Sequence, residues 1–388
     1  MKKSICWGFT GILLWGLFPK AVRAADLWQQ GDSSLKLTGY YKNLLFSSET
    51  IFPRTEQFTL DLNRLRLELQ GKARDRAVLD IQYDHEVFLG SFLKTEMFNI
   101  QINQEPDTYL DLENAYLDHS RFFARHRLYR GYLTFYLPYA DLTIGRQRIA
   151  WGTTRFWNPT DSLNPFNPIQ LEREERTGVD ALLTDVSLGA LSKLSLVYAP
   201  QDSREESSLA VRMRTNTSGF DLSAMGGFFK EDRVVGFDFA GAIKDIGIRG
   251  EAAYTFSDLE DNFIRTVLGA DYTFPNTFSI VIEYYYNGAG ETDEKDYDFQ
   301  RLFSGEILSV ARHYMGISIG YDLTPLLRWD NYLILNLNDG SLFLSPNLTY
   351  SIITDLDLTM GIQIFEGSDN SEHGILHNLY YIQIQQFF

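Results

Sequence analysis

Polar and apolar residues alternate with a period of two along most of the chain. Leu65, Leu67, Leu69, Gly71 and Ala73 fall on one side, and Arg64, Arg66, Glu68, Gln70 and Lys72 on the other. Successive side chains of a strand point to opposite faces, so this segment has one apolar face and one charged face. Ile280, Ile282, Tyr284 and Tyr286 alternate in the same way with Ser279, Val281, Glu283 and Tyr285. Leu356, Leu358, Met360, Ile362 and Ile364 alternate with Asp355, Asp357, Thr359 and Gln363. Segments of about ten residues with this alternation, tilted, cover roughly 25 Å of hydrocarbon and are the signal of a transmembrane barrel.

The pattern predicts strands near 34–47, 57–73, 77–88, 127–136, 141–151, 177–185, 191–199, 208–216 and 220–229. It continues near 233–243, 246–256, 263–274, 277–287, 308–321, 326–337, 341–352, 355–366 and 376–388. The fold expected is all-β: a transmembrane, antiparallel, up-and-down barrel of about 18 strands, with 16 as the alternative count. Loop lengths agree with it. With the N-terminus in the periplasm, the connections at 74–76, 137–140, 217–219, 244–245, 275–276, 322–325 and 353–354 share one rim, and all are short. Those at 89–126, 152–176 and 288–307 are long and share the other. A soluble sandwich gives no such asymmetry. Region 89–126 is read as an external extension, an inserted plug or an extra hairpin that would raise the strand count.

Composition supports export rather than a soluble interior. Lys2 and Lys3, an apolar run over Cys6–Phe18, and small residues around Val22–Ala24 read as a cleaved signal peptide over 1–24. A short periplasmic N-terminus at 25–33 and the barrel at 34–388 follow. Cleavage removes Lys2, Lys3, Lys20 and Arg23, moving the net charge from -16 to -20, and removes the one cysteine, Cys6. The 22 Tyr and 28 Phe are spread through alternating stretches rather than gathered into continuous runs. An acidic chain without clustered Lys and Arg argues against nucleic acid as a partner. The expected surroundings are outer-membrane lipid, lipopolysaccharide and the barrel-assembly machinery, with a homo-oligomer or a periplasmic partner as further options. In the last strand Tyr380, Ile382, Ile384 and Phe388 share one face, which resembles the strand by which outer-membrane proteins are recognised for assembly. Gln386 departs from that pattern.

No catalytic set can be assembled. The six histidines (His85, His119, His126, His313, His373 and His377) are scattered, and no Gly-x-Ser-x-Gly elbow exists. His373 and His377 are four apart but lie beside Gly374 in a loop, so helical metal spacing does not apply. The expectation is a protein that is not an enzyme and has no cofactor or metal. The acidic connection 288–307 reads as a solvated loop, with divalent-cation binding as its alternative.

The most informative stretch is Arg130 to Leu182. It holds Gly145-Arg146-Gln147-Arg148, Trp151-Gly152, Trp157-Asn158-Pro159-Thr160-Asp161, Leu163-Asn164-Pro165-Phe166-Asn167-Pro168 and Arg176-Thr177-Gly178. A Gly-Arg-Gln strand end, a Trp-Gly, an Asn-Pro-rich loop and a returning Arg-x-Gly resemble the porin-type proteins that include alginate-export and related barrels. The resemblance covers about fifty residues; it implies a porin-like architecture and no particular substrate. Three Asn-Pro pairs restrict the segment 152–176, and Trp157 and Phe166 are poorly placed in open water. It is expected to fold into the mouth or lumen as a constriction, with Asn158, Asp161, Glu172, Glu174 and Glu175 among its polar groups. A rigid external cap, or contact with a neighbouring barrel, is the alternative.

Arg64, Arg66, Arg130 and Arg249 are expected to line the lumen, with Asp80, Asp84 and Glu86 between the basic strands. Arg146 and Arg148 are expected there too if a bulge near Gly145 resets their phase. The charges form either a basic track for an anionic solute or a lattice of cross-strand ion pairs that stiffens the wall; the lattice is slightly favoured. Tyr132, Tyr136, Tyr285 and Tyr381 offer stacking surfaces. The leading function is a porin-like channel for small polar or anionic solutes. The alternatives are a sheath that holds a periplasmic electron carrier or other partner, and, less favoured, an outer-membrane hydrolase.

Overall fold

The structure is a computed structural model and describes residues 25–51, 55–102, 108–172, 175–176, 178–258 and 261–388. The expected signal peptide over 1–24 and Glu174 lie outside the described residues. The strands are, first, β1 (Ala25–Gln30), β2 (Ser33–Glu49), β3 (Gln57–Ala73), β4 (Ala77–Gly90), β5 (Glu113–His119), β6 (Phe122–Tyr136) and β7 (Asp141–Gln147). Then come β8 (Val179–Ser187), β9 (Lys193–Ala199), β10 (Ser208–Thr217), β11 (Phe220–Phe229), β12 (Asp232–Ile243), β13 (Ile246–Phe256) and β14 (Phe263–Thr273). The last are β15 (Ser279–Asn287), β16 (His313–Thr324), β17 (Leu327–Asn336), β18 (Leu342–Ile353), β19 (Leu356–Glu366) and β20 (Leu379–Phe387).

All pairings named strand to strand are antiparallel, and 18 of the strands close into a ring when β2 pairs with β20, from Tyr40 opposite Phe387 to Ser47 opposite Tyr380. Closure leaves no free edge along the ring, the only way a sheet can satisfy its backbone in hydrocarbon. β1 extends β2 at the short-turn rim, from Ala25 opposite Leu37 to Gln30 opposite Ser33. β5 pairs with the start of β6 and extends the opposite rim without adding to the ring. The described part of region 89–126 is thus an extension of that rim, which includes the β5–β6 hairpin and leaves the ring at 18 strands. Its helix α1 (Glu96–Ile102) packs Phe98 with Phe92, Phe58 and Phe123.

Alternation decides which side each residue takes. On β10, Leu209, Val211 and Met213 are exposed outward while Ala210 is buried. On β12, Val235 and Phe237 face out while Val234 and Asp238 face in. The outer surface is therefore an apolar belt, suited to hydrocarbon and far larger than a soluble monomer tolerates. Short hairpins at one rim include Ser218-Gly219, both at positive φ (51° and 82°), as a two-residue turn of the twist-matched kind requires. The longest connections, 91–121, 148–178 and 288–312, sit at the other rim.

Two local features set up the interior. The register of β4 against β6 shifts between Gln82 and Tyr83, so Tyr129 is an extra residue that turns inward beside Arg127 and Arg130. At the closure seam, the Phe388 N–H and carbonyl each pair with Gly39 at 2.9 Å. A Cβ on Gly39 would sit 2.2 Å from the Arg66 carbonyl and 2.9 Å from the Phe388 ring, so only glycine fits. Tyr380 and Ile382 stand exposed on the outer face and Ile384 is half-buried there.

Candidate functional site

The segment 148–178 between β7 and β8 carries the main constellation. Three of its aromatic residues, Trp151, Phe156 and Trp157, dock on the inner wall. Trp151 is buried among Val197, Ala210, Met225 and Phe229. Phe156 and Trp157 are buried against Tyr285 of β15, Tyr314 of β16 and Tyr332 of β17, with Trp157 stacked on Tyr285 at 5.1 Å. Gly152 is needed for this path, because a Cβ there would meet the Asn158 side chain at 2.2 Å.

Backbone N–H groups in a segment without regular structure need acceptors, and two wall carboxylates supply them. Glu251 of β13 accepts from the N–H groups of Thr153 (2.5 Å), Thr154 (2.8 Å) and Thr160 (3.2 Å). It also accepts from the hydroxyls of Thr154 (2.7 Å), Thr160 (2.8 Å) and Thr153 (3.4 Å). Glu283 of β15 accepts from the N–H groups of Arg155 (2.6 Å) and Phe156 (2.8 Å). Arg249 of β13 donates to the Thr153 carbonyl at 3.0 Å and pairs with Asp271. Charge-assisted bonds of this kind contribute about 1.5–3 kcal/mol each.

The far end of the segment docks on the opposite arc. Gln363 of β19 donates to the Ile169 carbonyl at 3.0 Å. Glu172 takes a hydrogen bond from Lys42 (2.9 Å) and two from Arg64 (2.8 and 3.1 Å). Glu175 takes one from the Tyr40 hydroxyl (2.7 Å) and pairs with Arg66 (2.8 Å). The Arg176 carbonyl accepts from Tyr129 (2.6 Å) and Arg130 (2.8 Å). Arg176 itself pairs with Asp161 at 3.0 Å and stacks 3.8 Å over Phe166. The segment thus touches inner-face residues of β2, β3, β6, β13, β15, β16, β17 and β19, on both arcs of the ring.

Burial acts against each of these loop carboxylates, and their cations decide the result. For Glu175, burial raises the pKa, but Arg66, Lys42 and Arg64 together bring it down to about 2. Glu172 moves down for the same reasons, against its own burial, through Arg64 and Lys42. At Asp161 burial prevails: Arg176 opposes it, Glu251 adds to it, and the carboxyl is pushed up to about 7.

Of the charged residues expected in the lumen, the structure brings Arg64, Arg66, Asp84 and Glu86 together. Arg66 forms a bidentate pair with Asp84 (2.6 and 2.7 Å), and Arg64 pairs with Glu86 (2.6 Å). Arg125 (2.8 Å) and Arg127 (3.5 Å) complete the cluster on Glu86. Asp80 accepts from Gln70 and Gln82 instead. Arg130 has no carboxylate partner among the described residues; it lies 4.9 Å over the Tyr129 ring.

Arg146 is the departure. It is opposite Gly131 and Asp180, in the phase of the outward residues Ile144 and Leu182, and the register through Gly145 is continuous. Gly145, at φ 121°, causes no reset. Arg146 is buried because it pairs with Asp180 at 2.8 Å beneath the Leu110 backbone, whose carbonyl takes a further bond from Arg146 at 2.5 Å and whose N–H donates to Asp180. It does not line the lumen. Arg148 is exposed. Sequence reading missed Lys42, Tyr40, Tyr129, Arg125, Arg127 and Glu251 as site residues. A carboxylate isolated among small and apolar residues of a strand, as Glu251 and Glu283 are, was the available signal.

A closed ring of 18 antiparallel strands with one rim of short turns, one of long loops and a charged interior defines the fold of the porin-type outer-membrane β-barrel. Three solved structures share it. Over 91% of this chain and 98% of its own, Pseudomonas aeruginosa OpdK with vanillate superposes with a TM-score of 0.58 at 9% identity. Pseudomonas aeruginosa OccD3 (OpdP) gives 0.57 at 10% identity over 94% and 93% of the two chains. Acinetobacter baumannii OccAB4 gives 0.56 at 10% identity over 93% and 99%. No protein-family model matches the chain, and no curated protein does.

Proposed function

We propose that this protein is an outer-membrane channel for small polar or anionic solutes, narrowed from within by the segment 148–178. The observation that carries the reading is the docking of that segment on both arcs of the inner wall, through Glu251 and Glu283 on one side and Lys42, Arg64 and Arg66 on the other. Such a segment reduces the open cross-section while leaving a polar, charged path beside it. The wall lattice neutralises much of the basic stripe, so selectivity on this account is set by cations without a carboxylate partner, Arg130 first among them. An export signal, outer-membrane lipid on the apolar belt, lipopolysaccharide at the long-loop rim and delivery by the barrel-assembly machinery belong to the same reading. A sheath around a periplasmic carrier is less well supported, since the segment occupies space the guest would need.

The test is conductance in a planar bilayer, comparing the intact protein with a deletion of 156–170. The deletion is expected to raise single-channel conductance several-fold. Equal conductance would remove the constriction, and no conductance in either would remove the channel.

A further inference from the structure

Asn331 is a polar side chain set in the apolar belt of the outer wall. It is the fifth of the ten residues of β17. Its neighbours Tyr332, Ile334 and Asn336 face inward: Tyr332 packs on Phe156, and Ile334 and Asn336 are buried. Asn331 therefore shares the outward face with Trp329, Leu333 and Leu335. It stands opposite Ile319 of β16 and Pro346 of β18. About ten tilted residues cover the hydrocarbon, so this amide lies near mid-depth. It is half-buried, and neither its donors nor its acceptor has a hydrogen-bond partner among the described residues.

Pro346 adds to the demand at the same place. β17 and β18 pair across Asn331 and Pro346. Proline has no N–H, so the two residues form a pair without mutual backbone bonds, and the Pro346 nitrogen points to β19. The register that sets Leu344 opposite Ile364 and Asn347 opposite Gly361 puts Pro346 opposite Ile362, whose carbonyl receives no bond from it. The outer face of β2 and β3 shows the contrast. Tyr41, Asn43, Asp61 and Asn63 point outward there, but they bond to one another: Tyr41 to Asn63 at 2.5 Å, Asn43 to Asp61 at 2.6 Å and Asn63 to Asp61 at 3.0 Å. That group is satisfied within one chain, and Asn331 is not.

Acyl chains offer an amide no partner, and lipid headgroups stand at the rims, away from mid-strand. A carboxamide is donor and acceptor at once, so a second Asn331 complements the first. Two barrels inserted the same way up are related by a two-fold along the membrane normal, and residues near such an axis meet their own copies at the same depth. We propose that the face of β16, β17 and β18 around Asn331 is the contact between two copies of this chain, a two-fold dimer in which each Asn331 amide bonds the other. This goes beyond the passage of solutes and does not depend on it; it requires only that the wall stand in lipid.

Disulfide trapping tests the contact, because Cys6 is the chain's one cysteine and is common to every variant. In outer-membrane vesicles under mild oxidation, Asn331→Cys is expected to form at least tenfold more disulfide-linked dimer than Leu196→Cys, which is exposed on β9 across the ring. Asn331→Leu is expected to lower the dimer fraction in mild detergent several-fold, read by light scattering, with heat-modifiable gel mobility unchanged. The proposal is overturned by equal cross-linking of the two cysteine variants, by no dimer from N331C, or by cross-linking of N331C to a different protein. A dimer as abundant in N331L as in the unaltered protein overturns it too. Should N331C not fold, Leu333→Cys, the next residue along the same face, takes its place under the same criteria. A dimer that does not conduct would contradict the channel and leave this contact standing.

Discussion

Glu251 holds six donors of one segment and has no cation among its hydrogen-bond partners, an arrangement that favours the docked loop while those bonds stand. Glu251→Ala strips acceptors from three backbone N–H groups, and each buried unmet group costs about 1–3 kcal/mol. The expected result is a folded barrel whose amides at Thr153, Thr154 and Thr160 exchange with deuterium at least tenfold faster, while the wall strands keep their protection. Unchanged exchange would show that the aromatic anchors Trp151, Phe156 and Trp157 suffice. The acid response follows from the loop carboxylates. Glu175 titrates at about 2 when docked, below the ordinary value of about 4.3. Its contribution is complete above that ordinary value and is lost as pH falls towards 2. Asp161 has the opposite sign: raised to about 7, it favours docking below its ordinary value of about 3.9 and ceases to as pH rises through 7. Protection of the segment, corrected for the intrinsic pH dependence of amide exchange, should therefore be greatest near pH 4, fall below that pH as Glu175 is protonated, fall between about pH 4 and 7 as Asp161 loses its proton, and level off above pH 7.

At the scale of the element, the strands were legible because a lipid-facing wall allows little other than period-two alternation. Segments such as 57–73, 220–229 and 246–256 have the expected bounds. The face of Arg146 was not legible. Its burial comes from Leu110, some thirty-six residues earlier, which lies over the outward face of β7 and β8; alternation alone could not anticipate that cover. The wall-to-loop pairs were hidden for a related reason. Lys42 meets Glu172 only after β2 closes on β20, a contact 130 residues apart in the chain. The seam offers a direct check. Phe388 pairs with Gly39 through both backbone groups, so Gly39→Val, which adds atoms where a Cβ already meets the Arg66 carbonyl, is expected to slow or prevent closure. Heat-modifiable gel mobility reads this: a folded fraction equal to that of the unaltered protein would contradict it.

For the whole molecule, the lumen combines a nearly neutralised basic stripe with a segment anchored on two arcs. Glu172 and Glu175 add two negative charges beside Lys42, Arg64 and Arg66, so the paired variant Glu172→Gln with Glu175→Gln leaves Lys42 without a carboxylate partner, while Arg64 and Arg66 keep Glu86 and Asp84. Anion preference should rise, and the reversal potential in a salt gradient should shift in the anion-selective direction; no shift would mean these charges lie off the path. The central claim is a pore narrowed from inside, and single-channel conductance of the 156–170 deletion beside the intact protein measures it most directly. The account predicts a stable, several-fold larger conductance for the deletion, and an identical value for the two proteins would contradict it.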